Sequence, residues 1–175
     1  MTDRDFQPYR RVSPSRLRDR ARSVWAADDP DRPPVVSDLV VAEEVPPPRV
    51  AEALGLDADA LALVRRRVYL VEERPIQLAW TYYPAELVRE SAIAEPETGP
   101  GGAYARLAEL GSAPVRFREE LRSRMPSHEE REVLRLGQAV PVIHVTRTAY
   151  QADDAAVEVN EMVLDAAAYV LEYHF

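Results

Sequence analysis

Three consecutive arginines carry the chemistry that stands out most in this chain. Arg65, Arg66 and Arg67 lie inside an apolar, β-branched run, LALVRRRVYLV, at 61–71. Alternate residues of a strand share one face, so Arg65 and Arg67 point the same way as Tyr69, and Arg66 points the other way. A planar guanidinium presents a fork of donors that matches carboxylate or phosphate oxygens. The pattern therefore indicates an anion site, unless Arg65 and Arg67 only flank a solvated surface.

Aromatic side chains could form the walls of such a site. Tyrosine and tryptophan combine an apolar ring with a polar tip, which suits an aromatic or otherwise flat, weakly polar ligand. For Trp80 and Tyr82, a position as ordinary core aromatics is the favoured alternative. The aromatic residues predicted to contact the ligand are Tyr69, Trp80, Tyr82, Tyr83 and Tyr150.

Two charged residues later in the chain are further candidates. Arg147 lies in the run VPVIHVTRTAY at 140–150, on the strand face opposite His144. Its guanidinium could bind the ligand or pair with Glu158 across a hairpin. Glu158 shares a strand face with Asn160, and together they could form a polar floor or a solvent-exposed face. His144 itself is predicted to be a core or interface histidine.

Most other site chemistries lack the residues they need. The chain has no cysteine, which removes disulfides, thiolate nucleophiles and cysteine-based zinc sites. Its three histidines are far apart and show no ligand spacing. No nucleophile–base arrangement or phosphate loop is present either. We therefore predict no metal, no cofactor and no catalytic residue.

Length and charge indicate one domain with a lead-in. The chain of 175 residues can bury one sizeable core. Residues 1–32 are predicted to be a linker or N-terminal arm, with one short helical candidate at Pro14–Trp25, and 33–175 to be the domain. The domain part carries fourteen Arg against 24 acidic residues, so it should not bind nucleic acid by itself. Without a membrane span or a secretory signal, we expect a cytoplasmic protein.

The patterns of the domain part predict an α+β fold. Strands and helices do not alternate regularly, which favours a mostly antiparallel sheet of about six strands with flanking helices. The segment 91–102 is rich in Pro and Gly and is predicted to be a mobile loop. No internal repeat is evident. Predicted strands are 34–45, 61–71, 75–84, 114–122, 140–150, 157–164 and 169–175, and predicted helices are 47–56, 85–90, 103–110 and 127–136.

The order of these segments resembles the UTRA domain, the effector-binding module of HutC-type GntR bacterial transcription regulators. The resemblance covers about 33–175 and implies a sheet like that of chorismate lyase. No single motif is specific, but their order and spacing together are. They are RRRVYLVEERPIQLAWTYYPAEL at 65–87, GGAYARLAELG at 101–111, MPSHEEREVLRL at 125–136 and VIHVTRTAYQADDAAVEVNEMVL at 142–164.

The resemblance implies a small-molecule effector held in a cleft on the sheet, with arginines of the first hairpin holding an anionic group. Members that sense phosphosugars tend to have Arg-x-Arg at the positions of Arg67 and Tyr69, and an acid near Ala79. This chain departs at both places, which favours an anionic or aromatic effector of another kind. A homodimer is also implied, with DNA contacted only through a winged-helix domain that this chain lacks. The segment 9–25 resembles the connector that follows that domain.

Two other functions stay open at this stage. A sheet like that of chorismate lyase could belong to a related enzyme, for which Arg67 and Glu158 are the only plausible pair. The chain could instead be an interaction module that binds and modulates a full-length paralogue. Turnover of chorismate would indicate the enzyme, and co-purification with a paralogue would indicate the module.

Overall fold

A computed structural model describes residues 6–13 and 31–174, so the predicted helix Pro14–Trp25 lies outside the described residues. Its main feature is a six-stranded sheet with the order β2-β3-β4-β7-β6-β5. The strands are β1 (Tyr9–Ser13), β2 (Val35–Glu44), β3 (Ala62–Val71), β4 (Arg74–Pro84), β5 (Arg116–Arg124), β6 (Val142–Tyr150), β7 (Ala156–Asp165) and β8 (Tyr169–Tyr173). The helices are α1 (Pro48–Leu54), α2 (Ala85–Val88), α3 (Gly102–Glu109) and α4 (His128–Val133).

The predicted α+β class is confirmed, because all five strand pairs of this sheet are antiparallel. One part of the topology was not expected. The final strand, β8, does not join the large sheet; it pairs in parallel with β1, whose residues we had assigned to an arm. Within the described residues, no helix has both the length and the apolar character needed to cross a bilayer.

The two central strands, β4 and β7, are buried along nearly their whole length. One face of the sheet carries Arg65, Arg67 and Arg147, and we call it the arginine face. The opposite face packs against α1 and the end of α4 through Leu54 and Leu134, and we call it the helix face. Because both faces are covered, apolar residues occur on both sides of β4 instead of on alternate positions only. The strand β7 is buried as well, although it carries Glu158, Asn160 and Glu161.

The turn between β3 and β4 fixes which residues face each other. Glu72 and Glu73 both adopt positive φ, 51° and 65°, as the two central residues of a tight hairpin turn of the I′ kind require. This turn, together with a one-residue register shift between Tyr69 and Leu70, sets Arg65 opposite Thr81 and Arg67 opposite Ala79. The hairpin predicted from the sequence therefore exists, with glutamates in positions that usually favour Asn and Gly.

The strand order shows an internal repeat, because each half of the sheet runs from its edge to its centre through three strands that are consecutive in sequence. The unit β2-α1-β3-β4 is followed by β5-α4-β6-β7, and the two halves meet at the β4–β7 pair. Gly55 and Arg135 both take left-handed backbone conformations after the helix of their half. Arg67 and Arg147 lie 80 positions apart at matching places on β3 and β6. The sequence does not show the repeat, because few residues are shared and an arginine replaces the capping glycine.

Helix α4 begins with the predicted capping box. Ser127 Oγ accepts a hydrogen bond from the backbone N–H of Glu130, and the Glu130 carboxylate accepts one from the backbone N–H of Ser127. Because a six-residue helix has little stability of its own, these two bonds contribute substantially to holding it on the sheet.

Replacing the capping serine should destabilise the domain. We expect Ser127→Ala to lower the free energy of unfolding by about 1 kcal/mol, because it leaves a backbone donor of the first turn without its acceptor. Urea denaturation followed by circular dichroism measures the change. Ser123→Ala, at an exposed position of β5, is the control and should be nearly neutral. Equal losses in both variants would argue against a stabilising cap.

Candidate functional site

A row of polar side chains crosses the arginine face through five strand positions. The register places Arg65 opposite Thr81, Thr81 opposite Asn160, and Asn160 opposite Arg147. Glu119 of the edge strand β5 follows opposite Arg147. Directly opposed residues of antiparallel strands point to the same side of the sheet, so these side chains form one continuous polar band.

Two apolar clusters enclose this band from either side. The first is covered by β1 and β8 and includes Tyr9, Tyr69 and Met162. The second lies under α3 and the loop before it, and includes Leu107 and Ile93. Charged groups between two apolar clusters are shielded from water, so their interactions with each other and with a ligand are strengthened.

Arg65 is buried and used by the protein itself. Its guanidinium donates hydrogen bonds to the backbone carbonyls of Ile93 (2.6 Å), Glu95 and Pro96 (2.8 Å). Burial and, to a lesser extent, the neighbouring charge of Arg67 lower the pKa of Arg65. The Arg65 side chain therefore links the irregular loop predicted at 91–102 to the sheet.

Arg67 is only partly engaged. One terminal nitrogen donates a hydrogen bond to the Thr81 hydroxyl on the neighbouring strand, so the side chain leans toward the middle of the sheet. Its guanidinium carbon also lies 5.8 Å from the centre of the Tyr69 ring. Thr81 in turn lies opposite Asn160, which places the Arg67 guanidinium beside the centre of the polar band.

Arg147 and Glu158 form a buried ion pair, with 3.6 Å between Nη2 and Oε1 and side chains only 6% and 3% exposed. Burial alone would lower the pKa of Arg147, but the nearby Tyr104, Glu158 and Glu119 together raise it above its ordinary value. The arginine is therefore charged in the folded protein. Of the two roles considered from sequence, the pairing with Glu158 is present, and it leaves Nε without a partner.

Two phenols complete the surroundings of Glu158. Tyr83 donates a hydrogen bond of 2.9 Å to Oε2, and Tyr104 donates one of 2.8 Å to Oε1. Burial and the charge of Glu158 raise the pKa of Tyr83 well above its ordinary value, so this phenol stays a donor. Both carboxylate oxygens are thus occupied, which disfavours a role for Glu158 as a general acid or base.

An arginine from outside the predicted domain also reaches the band. Arg11, on β1, is 2% exposed and forms a salt bridge with Glu119, which is 10% exposed. The residues Arg11, Thr81, Glu119 and Tyr104 are not among the site residues that the sequence predicts. No sequence signal marked them, because their proximity to Arg147 depends on strand pairing and on where α3 and β1 pack.

Buried polar atoms without a hydrogen-bond partner are concentrated at this site. Among the described residues there are eight such side-chain atoms, and six of them belong to the band and its neighbours. An unsatisfied buried polar atom costs about 1–3 kcal/mol, so each of these groups needs a partner such as an ordered water or a bound ligand. The six are Nε and Nη1 of Arg11, Nε of Arg65, Arg67 and Arg147, and Oδ1 of Asn160.

The structure brings together six of the nine residues predicted to bind the ligand. Three others lie elsewhere. Trp80 and Tyr82 occupy alternate positions of β4 that point to the helix face, where Tyr82 packs against α1. Tyr150 is near the sheet edge, stacked under Arg116 at 3.8 Å from the ring centre. The six on the arginine face are Arg65, Arg67, Tyr69, Tyr83, Arg147 and Glu158.

A cavity of about 400 Å³ lies elsewhere, between the β3–β4 turn and the loop that follows α4. Its lining includes Arg74, Asp165 and Leu136 and none of the nine predicted site residues. Arg74 and Asp165 already form an ion pair of 2.7 Å. None of the residues that line it contributes to the buried polar atoms without a hydrogen-bond partner, so this cavity shows less capacity for a charged ligand than the polar band does.

The profile of the UTRA domain family matches residues 32–170. This chain belongs to the UTRA domain family. An uncharacterized HTH-type transcriptional regulator of Streptomyces coelicolor is 31% identical to it over 129 residues, which are 72% of this chain and 48% of that protein. The chain thus spans about half the length of this curated relative.

Solved structures share the UTRA fold at low sequence identity. PhnF from Mycobacterium smegmatis superposes with a TM-score of 0.77 at 20% identity, covering 96% of this chain and 72% of PhnF. The C-terminal domain of the histidine utilization repressor from Pseudomonas syringae gives a TM-score of 0.68 at 14% identity, covering 81% and 98%. At these identities the likeness establishes the fold of this UTRA domain alone.

The buried ion pair of the UTRA domain predicts strong coupling between its partners. Removing either charge strands the other in the interior, so Arg147→Met and Glu158→Gln should each destabilise by about 3–5 kcal/mol. The double variant should lose less than the sum, with a coupling energy of about 1–3 kcal/mol. Chemical denaturation of the four proteins measures it.

The exposed pair Arg116–Asp154 is a matched control within the same sheet. Its side chains are 50% and 77% exposed, so a cycle of Arg116→Met and Asp154→Asn should show a much smaller coupling energy than the buried pair, because water screens exposed charges. Equal coupling energies in the two cycles would contradict the desolvated environment inferred for Arg147.

Arg65 should control the order of the loop that it binds. We expect Arg65→Met to speed amide hydrogen exchange at residues 91–95, because the carbonyl acceptors of this loop lose the guanidinium that binds them. Arg66→Met is the control, since Arg66 points to the other face and pairs with Glu44. Unchanged exchange in the Arg65 variant, by mass spectrometry, would show that the loop is held by other contacts.

Proposed function

We propose that this UTRA domain binds a small anionic effector on its arginine face and acts as the sensory part of a transcription regulator. The observation that carries this proposal is the concentration of buried guanidinium groups with unsatisfied nitrogens in one polar band. Guanidinium groups that are desolvated and only partly paired favour an anion, because it supplies both the missing acceptors and the missing negative charge.

The charge balance indicates how much negative charge the effector carries. Four guanidinium groups lie at the band, from Arg11, Arg65, Arg67 and Arg147, against the two carboxylates of Glu119 and Glu158. An excess of two positive charges in a shielded region is costly. A ligand with two negative charges, such as a phosphate ester, phosphonate or dicarboxylate, would balance it.

The neighbours of the band narrow the effector further. Asn160 presents an unpartnered amide oxygen between Arg67 and Arg147, so a ligand that also carries a hydroxyl or N–H donor fits best. The aromatic walls expected for a flat ligand are reduced to Tyr69 and Tyr83, and both are buried in apolar clusters. A small polar anion is therefore favoured over an aromatic effector.

The regulatory role rests on the relatives. The curated relative is described as an HTH-type transcriptional regulator, and one similar solved structure is described as the effector domain of PhnF from Mycobacterium smegmatis.

In this proposal the domain works as a homodimer, and DNA is contacted by a winged-helix domain on another part of the regulator. Light scattering after size exclusion tests the dimer, and a mass of one chain at micromolar concentration would contradict it. Effector binding changes the affinity for DNA only to the extent that the effector binds more tightly to one of two conformational states of the regulator than to the other.

Anion binding can be tested with inorganic phosphate and sulfate as probes. We expect both to raise the melting temperature of the domain, because a ligand that binds only the folded state stabilises it. Arg67→Met should abolish this rise in melting temperature. In calorimetry it should weaken anion binding at least about tenfold, because the loss of one hydrogen bond to a charged group lowers affinity by about that factor. Arg66→Met, on the helix face, should bind like the wild type.

Two results would contradict the proposal. One is a melting temperature that neither anion changes at millimolar concentration in the wild-type protein. The other is repeated turnover of chorismate to 4-hydroxybenzoate by the purified protein, which would indicate an enzyme of the chorismate lyase type instead of a sensor.

A further inference from the structure

The arm strand β1 is held on the domain by alternate residues. Tyr9 is fully buried in the first apolar cluster, where its ring meets that of Tyr169 edge-on at 5.7 Å. Arg11 follows two positions later and therefore points to the same side of β1. Arg10 points away and is largely exposed, paired with Glu172 at the surface. The strand thus inserts one aromatic ring and one guanidinium into the domain.

Arg11 has more hydrogen-bonding capacity than its partner uses. One terminal nitrogen bonds to Glu119, while Nε and Nη1 are buried and have no partner among the described residues. Arg11 contributes two of the six unsatisfied atoms of the site, more than any other residue. If Arg11 only attached the arm to the domain, its bond to Glu119 would be sufficient. That role does not account for the buried Nε and Nη1 atoms.

Glu119 connects Arg11 to the rest of the band. It lies opposite Arg147 in the β5–β6 register, and its charge contributes to the raised pKa of Arg147. Glu119 thus pairs with Arg11 and also lies beside Arg147, whose own ion-pair partner is Glu158. An anion beside Arg147 would therefore also lie near Arg11.

We propose that Arg11 is an effector-binding residue supplied by the arm, so that anion binding and docking of the arm strengthen each other. This inference rests on the anion site proposed above. Arg11 lies outside the 32–170 segment that matches the UTRA family, so the family match assigns it no role. By linkage, if docking of the arm increases anion affinity by some factor, the anion favours docking by the same factor.

The test compares two variants that break the same ion pair. Arg11→Gln removes a cation from the site and should weaken binding of inorganic phosphate at least about tenfold in calorimetry. Glu119→Gln removes a competing carboxylate and should tighten phosphate binding. Arg10→Gln, its exposed neighbour, should leave the affinity unchanged. A purely structural ion pair predicts that the first two variants change affinity in the same direction.

Hydrogen exchange gives a second readout that does not depend on the size of the affinity change. Phosphate should slow amide exchange at residues 9–13 in the wild-type and Arg10→Gln proteins, but not in Arg11→Gln. Each protein is first checked by circular dichroism for a folded state, and Arg11→Lys, which keeps the charge, should recover part of the affinity.

The outcomes separate this inference from the proposed function. If phosphate binds the wild type in an Arg67-dependent way but Arg11→Gln binds equally well, the role of Arg11 is overturned and the anion site stands. If Arg11→Gln and Glu119→Gln both weaken binding, the pair is structural and the inference fails. If neither phosphate nor sulfate binds the wild-type protein, both proposals fail.

Discussion

The organisation of this domain depends on placing several guanidinium groups between two apolar clusters. Charges removed from water must be compensated, and here Glu119 and Glu158 compensate only part of the charge of Arg11, Arg65, Arg67 and Arg147. Hydrogen bonds from tyrosines and to loop carbonyls satisfy some of the remaining groups. What is left is an incomplete polar network, which destabilises the fold and which the proposed anion would complete.

The internal repeat explains how one sheet can hold such a network. Its two halves place Arg67 and Arg147 at matching positions on β3 and β6, on either side of the central pair of strands. The helices of both halves cover one face of the sheet and leave the other to less regular elements. The arginine face is therefore closed by the loop at 91–102, by α3 and by the β1–β8 pair.

Several features of the site were accessible from strand periodicity alone. The shared face of Arg65, Arg67 and Tyr69 and the possible pairing of Arg147 with Glu158 follow from alternation and from a short hairpin. Trp80 and Tyr82 were placed with them only because they are aromatic and close in sequence. Their alternate positions on β4 place them on the helix face. The sequence does not reveal this, because β4 is covered on both sides and carries apolar residues on both.

The sequence by itself determined the α+β class, the positions of most strands and helices, the capping box at Ser127 and the family. These properties depend on local periodicity, on turn and capping residues, and on the order of segments along the chain. Only the tertiary structure decided that Arg11, Thr81, Glu119 and Tyr104 belong to the site, and that β8 pairs with β1. These contacts join residues that are far apart in sequence, 160 positions in the β1–β8 pair. Such a pairing arises when distant strands bury their apolar sides together, and no local pattern of residues encodes it.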